Sequence, residues 1–260
     1  MRVQSIGLLA GVILTMGLAG CQMDPALMGT APAAVSRSAL NDPTHYGAVE
    51  DNGLQVPAIP IEQVPADYQR QMVSYESDQP VGTIIIDPST KHLYLITSKT
   101  KALRYGIAVG RAGFGWSGTA DIVSRTAWPK WIPPYEMIDR KPELEEFRDV
   151  GQPGGLTNPL GARALYLETD GVDYGYRIHG TPEWYSIGSN ASSGCIRMIN
   201  QDVMDLYNRV PDGARVVVLT EDGQFPTRLT VPPIPAPKKP EPELASLAAP
   251  ELPAAGTGPF

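Results

Sequence analysis

Cysteine is scarce in this chain of 260 residues, with only Cys21 and Cys195. One lies in an apolar N-terminal run and the other deep in a folded stretch, so no mutual disulfide is expected. Histidine is almost as sparse, at three residues. Structural zinc takes four ligands and catalytic zinc three. No third ligand clusters with His179 and Cys195, so neither a metal nor another cofactor is expected. Aromatic residues make up 7% of the chain, which gives no sign of a carbohydrate-stacking surface. Positive charge is also short: 21 Lys and Arg stand against 28 Asp and Glu, for a net charge of −7. An acidic chain without a basic stripe is repelled by phosphate backbones, which argues against nucleic-acid partners. It is equally a poor electrostatic ligand for anionic lipid, so membrane attachment needs another cause. No internal repeat is present.

Glycine and proline are plentiful, at 26 each, so turns and extended segments should be common. Residues 1–21 read MRVQSIGLLAGVILTMGLAGC. Arg2 supplies a short positive region, and Ile6 to Leu18 is a nearly unbroken apolar run too short and glycine-interrupted for a good transmembrane helix. Leu18-Ala19-Gly20-Cys21 resembles the lipobox of bacterial lipoproteins. That resemblance implies a signal peptide over 1–20 and a lipidated Cys21 as the mature first residue. Each buried CH₂ of the acyl chains contributes about 0.8 kcal/mol to anchoring. The plainer alternative is an ordinary signal peptide cut near Ala19. Gln22 rather than Asp follows Cys21, which by family analogy favours the outer membrane, facing the periplasm.

Residues 22–60 carry Pro, Ala, Ser, Asp and Asn with little periodicity and read as a tether, 61–76 as a short helix or extended lead-in, and the lipidated N-terminus and tether together are placed at 21–75. From Val81 the pattern turns to β. Thr83 to Ile86 and His92 to Ile96 flank a turn at Asp87 to Thr90, as in a hairpin. Strands are also expected at Leu103–Val109, Ile122–Ala127, Ala164–Leu167, Tyr176–His179 and Arg215–Leu219. Residues 128–142 form a proline-rich aromatic loop, with a helix possible at Glu143 to Arg148. Asn200 to Val210 places Val203, Leu206, Tyr207 and Val210 at helical spacing. The expectation is one mainly β domain over 76–222 with one or two short helices. Residues 223–260 read as a disordered, Pro/Ala-rich tail that acts as a spacer or, less simply, as a partner ligand.

The chemistry concentrates in His179-Gly180, followed after fourteen residues by Cys195, within Ser192-Ser193-Gly194-Cys195-Ile196-Arg197-Met198. A thiolate is the reactive form of cysteine, and a nearby imidazole can take its proton. Ser193 and Gly194 are small enough to let a substrate carbonyl approach, and their backbone suits an oxyanion. Arg197 can grip a substrate carboxylate.

These residues, with I-H-G-T-P at 178–182, N-x-D-V-x-x-L-Y at 200–207 and the earlier G-T-I-I-I-D and L-Y-L-I, resemble the L,D-transpeptidase family, the YkuD-like catalytic domain of ErfK/YbiS type. The resemblance covers roughly residues 81–220. It implies a β-sandwich-like fold, Cys195 as nucleophile, His179 as general base and the Gly180 carbonyl as the third member that orients the imidazole. It implies attack on the third residue of a peptidoglycan stem peptide, release of terminal D-Ala, and transfer of the acyl group to an amine. That amine would belong to a second stem or to an outer-membrane protein being attached to the wall. Water as acceptor would make the enzyme a carboxypeptidase. A non-catalytic wall-binding lipoprotein is the rival from another class. Many members have His two residues before the cysteine; here Ser193 stands there, so the base must be His179.

Several residues carry two readings. Arg197 either binds substrate or pairs with a structural acid such as Asp202. Trp184 and Tyr185 either line the cleft or pack the loop that bears Cys195. Trp128, Trp131 and Tyr135 mark a lid or a rigid surface loop. His92 is expected to be an ordinary strand residue, and His45 to have no catalytic role.

Overall fold

The computed structural model describes residues 43–110, 116–191 and 194–231. Eleven strands and two α-helices appear among them. Strands β1 (Val49–Asp51) and β2 (Leu54–Val56) form a separate antiparallel hairpin. The remaining strands are β3 (Gln71–Ser74), β4 (Ile84–Asp87), β5 (His92–Ser98), β6 (Lys101–Ala108), β7 (Gly118–Ala127), β8 (Arg163–Glu168), β9 (Arg177–Thr181), β10 (Ile196–Ile199) and β11 (Arg215–Val218). They join in the order β10-β9-β8-β7-β11-β4-β5-β6-β3, and β10 also pairs with β6. Eight strands therefore close on themselves, and β3 hangs on the outer edge of β6. The domain is mainly β, as expected. Its sheet is barrel-like, because the β6–β10 contact joins what a sandwich would leave as two edges.

The sequence dictates why strands in this sheet read as solid apolar runs. On β4, Ile84 and Ile86 enter the main core, while Ile85 points the other way into a second cluster with Ile96, Ala102, Val217 and Leu219. Both faces are covered, so alternation disappears. The turn to β5 is set by Asp87, whose Oδ1 accepts the backbone N–H groups of Ser89 and Thr90. Such side-chain-to-backbone bonding is how Asp specifies a turn. Helix α1 spans Tyr135–Arg140 and α2 spans Asn200–Arg209. Val203 and Leu206 of α2 are buried in the main core.

Three expectations need correction. The tether assigned to residues 21–75 ends earlier, because residues 43–75 are folded onto the barrel. Tyr46 is 3% exposed; its hydroxyl accepts the Arg70 N–H at 2.7 Å and donates to Asp202 at 3.1 Å. β3 pairs antiparallel with β6, Gln71 facing Arg104. The tail begins later than residue 223: Thr230 bridges to Ser117, and Leu229 packs on the main core. The helix expected at 143–148 is a 3-10 segment at Pro142–Phe147, and α1 was not foreseen inside the proline-rich loop. The signal peptide, Cys21 and the tail beyond Val231 lie outside the described residues. Among those described, no helix is long and apolar enough to cross a membrane.

Candidate active site

Strand β9 presents Ile178 to the main core and therefore turns Arg177 and His179 to the opposite face. β10 runs parallel to it, with Ile196 opposite Ile178 and Arg197 opposite His179. Ile196 and Met198 fill the core, so Arg197 shares the outer face with His179, and Cys195, two residues earlier, follows the same side. Parallel pairing of two short strands is thus what gathers His179, Arg197 and Cys195.

His179 is buried, and its Nδ1 lies 2.6 Å from the carbonyl oxygen of Gly180. A carbonyl only accepts, so Nδ1 carries the proton and Nε2 keeps a lone pair. Burial pushes the imidazole pKa down to about 4; the Gly180 bond opposes this and the Arg197 charge reinforces it. The ring is neutral at ordinary pH.

Gly194 precedes the cysteine with φ 131°, a backbone setting that side chains disfavour. Cys195 is partly exposed, and its Sγ donates to the Gly175 carbonyl at 3.8 Å. Burial pushes the thiol pKa up, against the Arg177 backbone N–H bonded to sulfur and the Arg177 and Arg197 charges, which favour thiolate. The resting pair is therefore a thiol and a neutral imidazole. Such a pair suits general-base activation at the moment of attack.

The surroundings are charged and ordered. Arg197 meets Glu183 at 3.1 Å, not Asp202, which is buried beside Arg70 at 3.6 Å. Arg177 forms a two-pronged pair with Asp173, at 2.7 and 2.6 Å, and lies over the Tyr166 ring. Tyr176 stacks on Trp116 at 4.9 Å, and burial together with Cys195 raises its phenol to about 12.

His179 and Gly180 lie on β9 beside Arg197 and Met198 of β10, and Gly194 and Cys195 stand immediately before β10. Ser193 lies outside the described residues. Trp184, named from the sequence as a substrate-binding candidate with loop packing as its other reading, packs against the cluster of Tyr46, Val64 and Ile199. The aromatic loop is braced as well. Trp128 Nε1 donates to Asp51 at 2.7 Å, and the Asn158 amide donates to the carbonyls of Pro129, Gln152 and Pro153. These bonds anchor the loop at both of its ends. Sequence reasoning missed Glu183 and Tyr176. Glu183 lies four residues beyond His179, but an acid on a loop gives no signal of its partner. Among the described residues, no group of three or more His, Cys, Asp or Glu side chains could hold a metal ion.

Comparison with known proteins points to one family. Residues 82–218 match the family model YkuD, the L,D-transpeptidase catalytic domain. The chain is 31% identical over 149 residues to the probable L,D-transpeptidase YbiS of Escherichia coli K12, covering 53% of this chain and 44% of that protein. It is 29% identical over 143 residues to the putative L,D-transpeptidase YqjB of Bacillus subtilis, covering 55% of this chain and 73% of that one. A solved structure from Brucella melitensis, described as a probable carnitine operon oxidoreductase, is 48% identical with a TM-score of 0.42. That match covers 62% of this chain and 99% of the other. The match to YbiS therefore spans less than half of that relative's length.

Proposed function

The chain belongs to the YkuD family of L,D-transpeptidase catalytic domains, and on that premise we propose that it is a cysteine-dependent acyltransferase acting on peptidoglycan stem peptides. One observation carries the proposal: the His179 Nδ1–H is committed to the Gly180 carbonyl, leaving Nε2 as a base on the face that bears Cys195. Nε2 takes the thiol proton as sulfur attacks the carbonyl carbon of the third stem residue. The imidazolium returns that proton to the departing nitrogen, and D-Ala leaves. The thioester stores the energy of the broken bond, so no ATP is needed. An acceptor amine then attacks the thioester, giving up its proton to His179, and the thiol is restored. Arg197 is suited to hold a substrate carboxylate, with Glu183 keeping the guanidinium in place beforehand.

Cys21 as a lipid anchor, a periplasmic location and a wall-attached outer-membrane protein as acceptor complete the same proposal. The LAGC sequence motivates them, and the mass of the mature N-terminal peptide tests the anchor. For the reaction, purified protein is incubated with disaccharide-tetrapeptide, wild type beside Cys195→Ala, and products are read by mass spectrometry. Dimers joined through the third residues are expected from the wild type alone. Tripeptide without dimers would instead indicate water as acceptor. Dimers formed equally by Cys195→Ala would overturn the cysteine mechanism.

A further inference from the structure

Asn200 is the first residue of α2, and its side chain is buried, at 7% exposure. Its Oδ1 accepts the Ala162 N–H at 2.9 Å. Two glycines make room for that oxygen. A Cβ built on Gly161 or on Gly180 would stand 2.3 Å from it, closer than real side chains come. The Cβ of Gly161 would also strike the Gly180 carbonyl carbon at 2.5 Å and the Thr181 nitrogen at 2.6 Å. Gly161 adopts φ +61°, a second reason for glycine there. The Asn200 carboxamide, the Gly161 backbone and the Gly180–Thr181 peptide are thus stacked without slack. The oxygen of that peptide is the acceptor that holds His179 Nδ1.

We infer that Asn200 is a positioning residue: its carboxamide, fixed by the Ala162 N–H, wedges the Gly180–Thr181 peptide in place and so sets the ring orientation and tautomer of His179. This rests on the reading of His179 as the base. Val203 also touches this space, since a Cβ on Gly180 would meet its Cγ1 at 3.0 Å, but it offers no polar group to fix a peptide plane. Loss of Asn200 frees the carbonyl to rotate, and the imidazole loses the bond that keeps its proton on Nδ1. An orienting partner that selects the tautomer is a recurrent need of imidazole bases.

The experiment is ¹⁵N NMR of the imidazole ring in the full protein. Wild type should show one ring form, protonated at Nδ1. Asn200→Ala should show mixed tautomers, with kcat lowered about a hundredfold and KM for the stem little changed. Val203→Ala, which loosens the same spot by packing alone, should keep the wild-type ring form. Asn200→Thr fills more of the space but withdraws the carbonyl oxygen, and carries the same expectation should Asn200→Ala fail to fold. A folded Asn200 variant with the wild-type ring form would overturn the inference. The ring signal needs no turnover. A wild type with the Nδ1–H ring but no action on stems would therefore sink the transpeptidase reading and leave the Asn200 assignment standing.

Discussion

The 2.6 Å contact between His179 Nδ1 and the Gly180 carbonyl sets the protonation of the imidazole before any substrate arrives. With the imidazole pKa near 4 and the thiol pKa above its ordinary value, the pair rests uncharged across the neutral range. Iodoacetamide needs thiolate, so alkylation of Cys195 should be slow at neutral pH and climb through the alkaline range. A rate already saturated near about pH 6 would reveal a preformed thiolate–imidazolium pair. His179 also penalises folding in acid. Its folded pKa lies below the ordinary imidazole value of 6.5, so stability is retained above that value and falls as pH drops towards 4. Arg197 invites a second test. A charge-assisted hydrogen bond contributes about 1.5–3 kcal/mol, so Arg197→Ala should raise KM for stems roughly tenfold or more, beyond any change in kcat. Glu183→Gln, which weakens the 3.1 Å contact that holds Arg197 in place, should raise KM in steady-state assays; an unchanged or lowered KM would count against that positioning role. Cys195 and His179 were legible because the runs around them, I-H-G-T-P and S-S-G-C-I-R-M, resemble the family's motifs. Glu183 and Asn200 were not, since what each does depends on a neighbour that only the fold supplies.

Segment 43–74 shows the limit of pattern reading at the level of elements. The strands of the barrel announced themselves because each buries one or both faces with regular period. The N-terminal arm instead drops single side chains into places prepared elsewhere, and irregular spacing hides it. Tyr68 fills a niche between Gly106 and Gly188, where added Cβ atoms would come within 2.4 Å of it. Even the β1–β2 hairpin had a signal, Asn52-Gly53, whose φ values of 52° and 77° are those of a tight hairpin turn. Arg70 is the arm's most consequential residue, reaching Asp205 at 2.8 Å and Asp202 at 3.6 Å. Removing one partner from a buried ion pair costs about 3–5 kcal/mol, and Arg70→Met should destabilise by that order in urea titrations at neutral pH. Burial already lifts the Asp202 carboxyl from 3.8 to about 7 despite Arg70. A raised folded pKa contributes stability that is present below the unfolded value and is lost as pH rises through the folded one. Without Arg70 that pKa rises further, so the penalty of Arg70→Met should shrink on acidification. An equal penalty at acid and alkaline pH would mean that Asp202 does not titrate there.

Taken as a whole molecule, the folding unit is wider than the segment of family resemblance. A chain cut to residues 76–222 would uncover Ile199 and Trp184 and leave Asp202 without Arg70. It would also lose the Ser117–Thr230 bridge. Such a chain should unfold at distinctly lower urea than one spanning 43–231, or fail to fold; matched midpoints would show that the arm is dispensable. The barrel itself has an uneven circumference. β10 is held along four residue pairs by β9, but it meets β6 through only two, Arg197 with Ala108 and Met198 with Ile107. Those partners are far apart in sequence, and distant pairings form late because loop closure must come first. The strand that follows Cys195 is therefore the clasp that fastens the ring. Its place beside His179 is set by the four pairs with β9, and the two pairs with β6 then lock that arrangement into a closed ring. Closure of the ring thus fixes the strand that bears Arg197 and follows Cys195, so the geometry of the site depends on a fold that is complete.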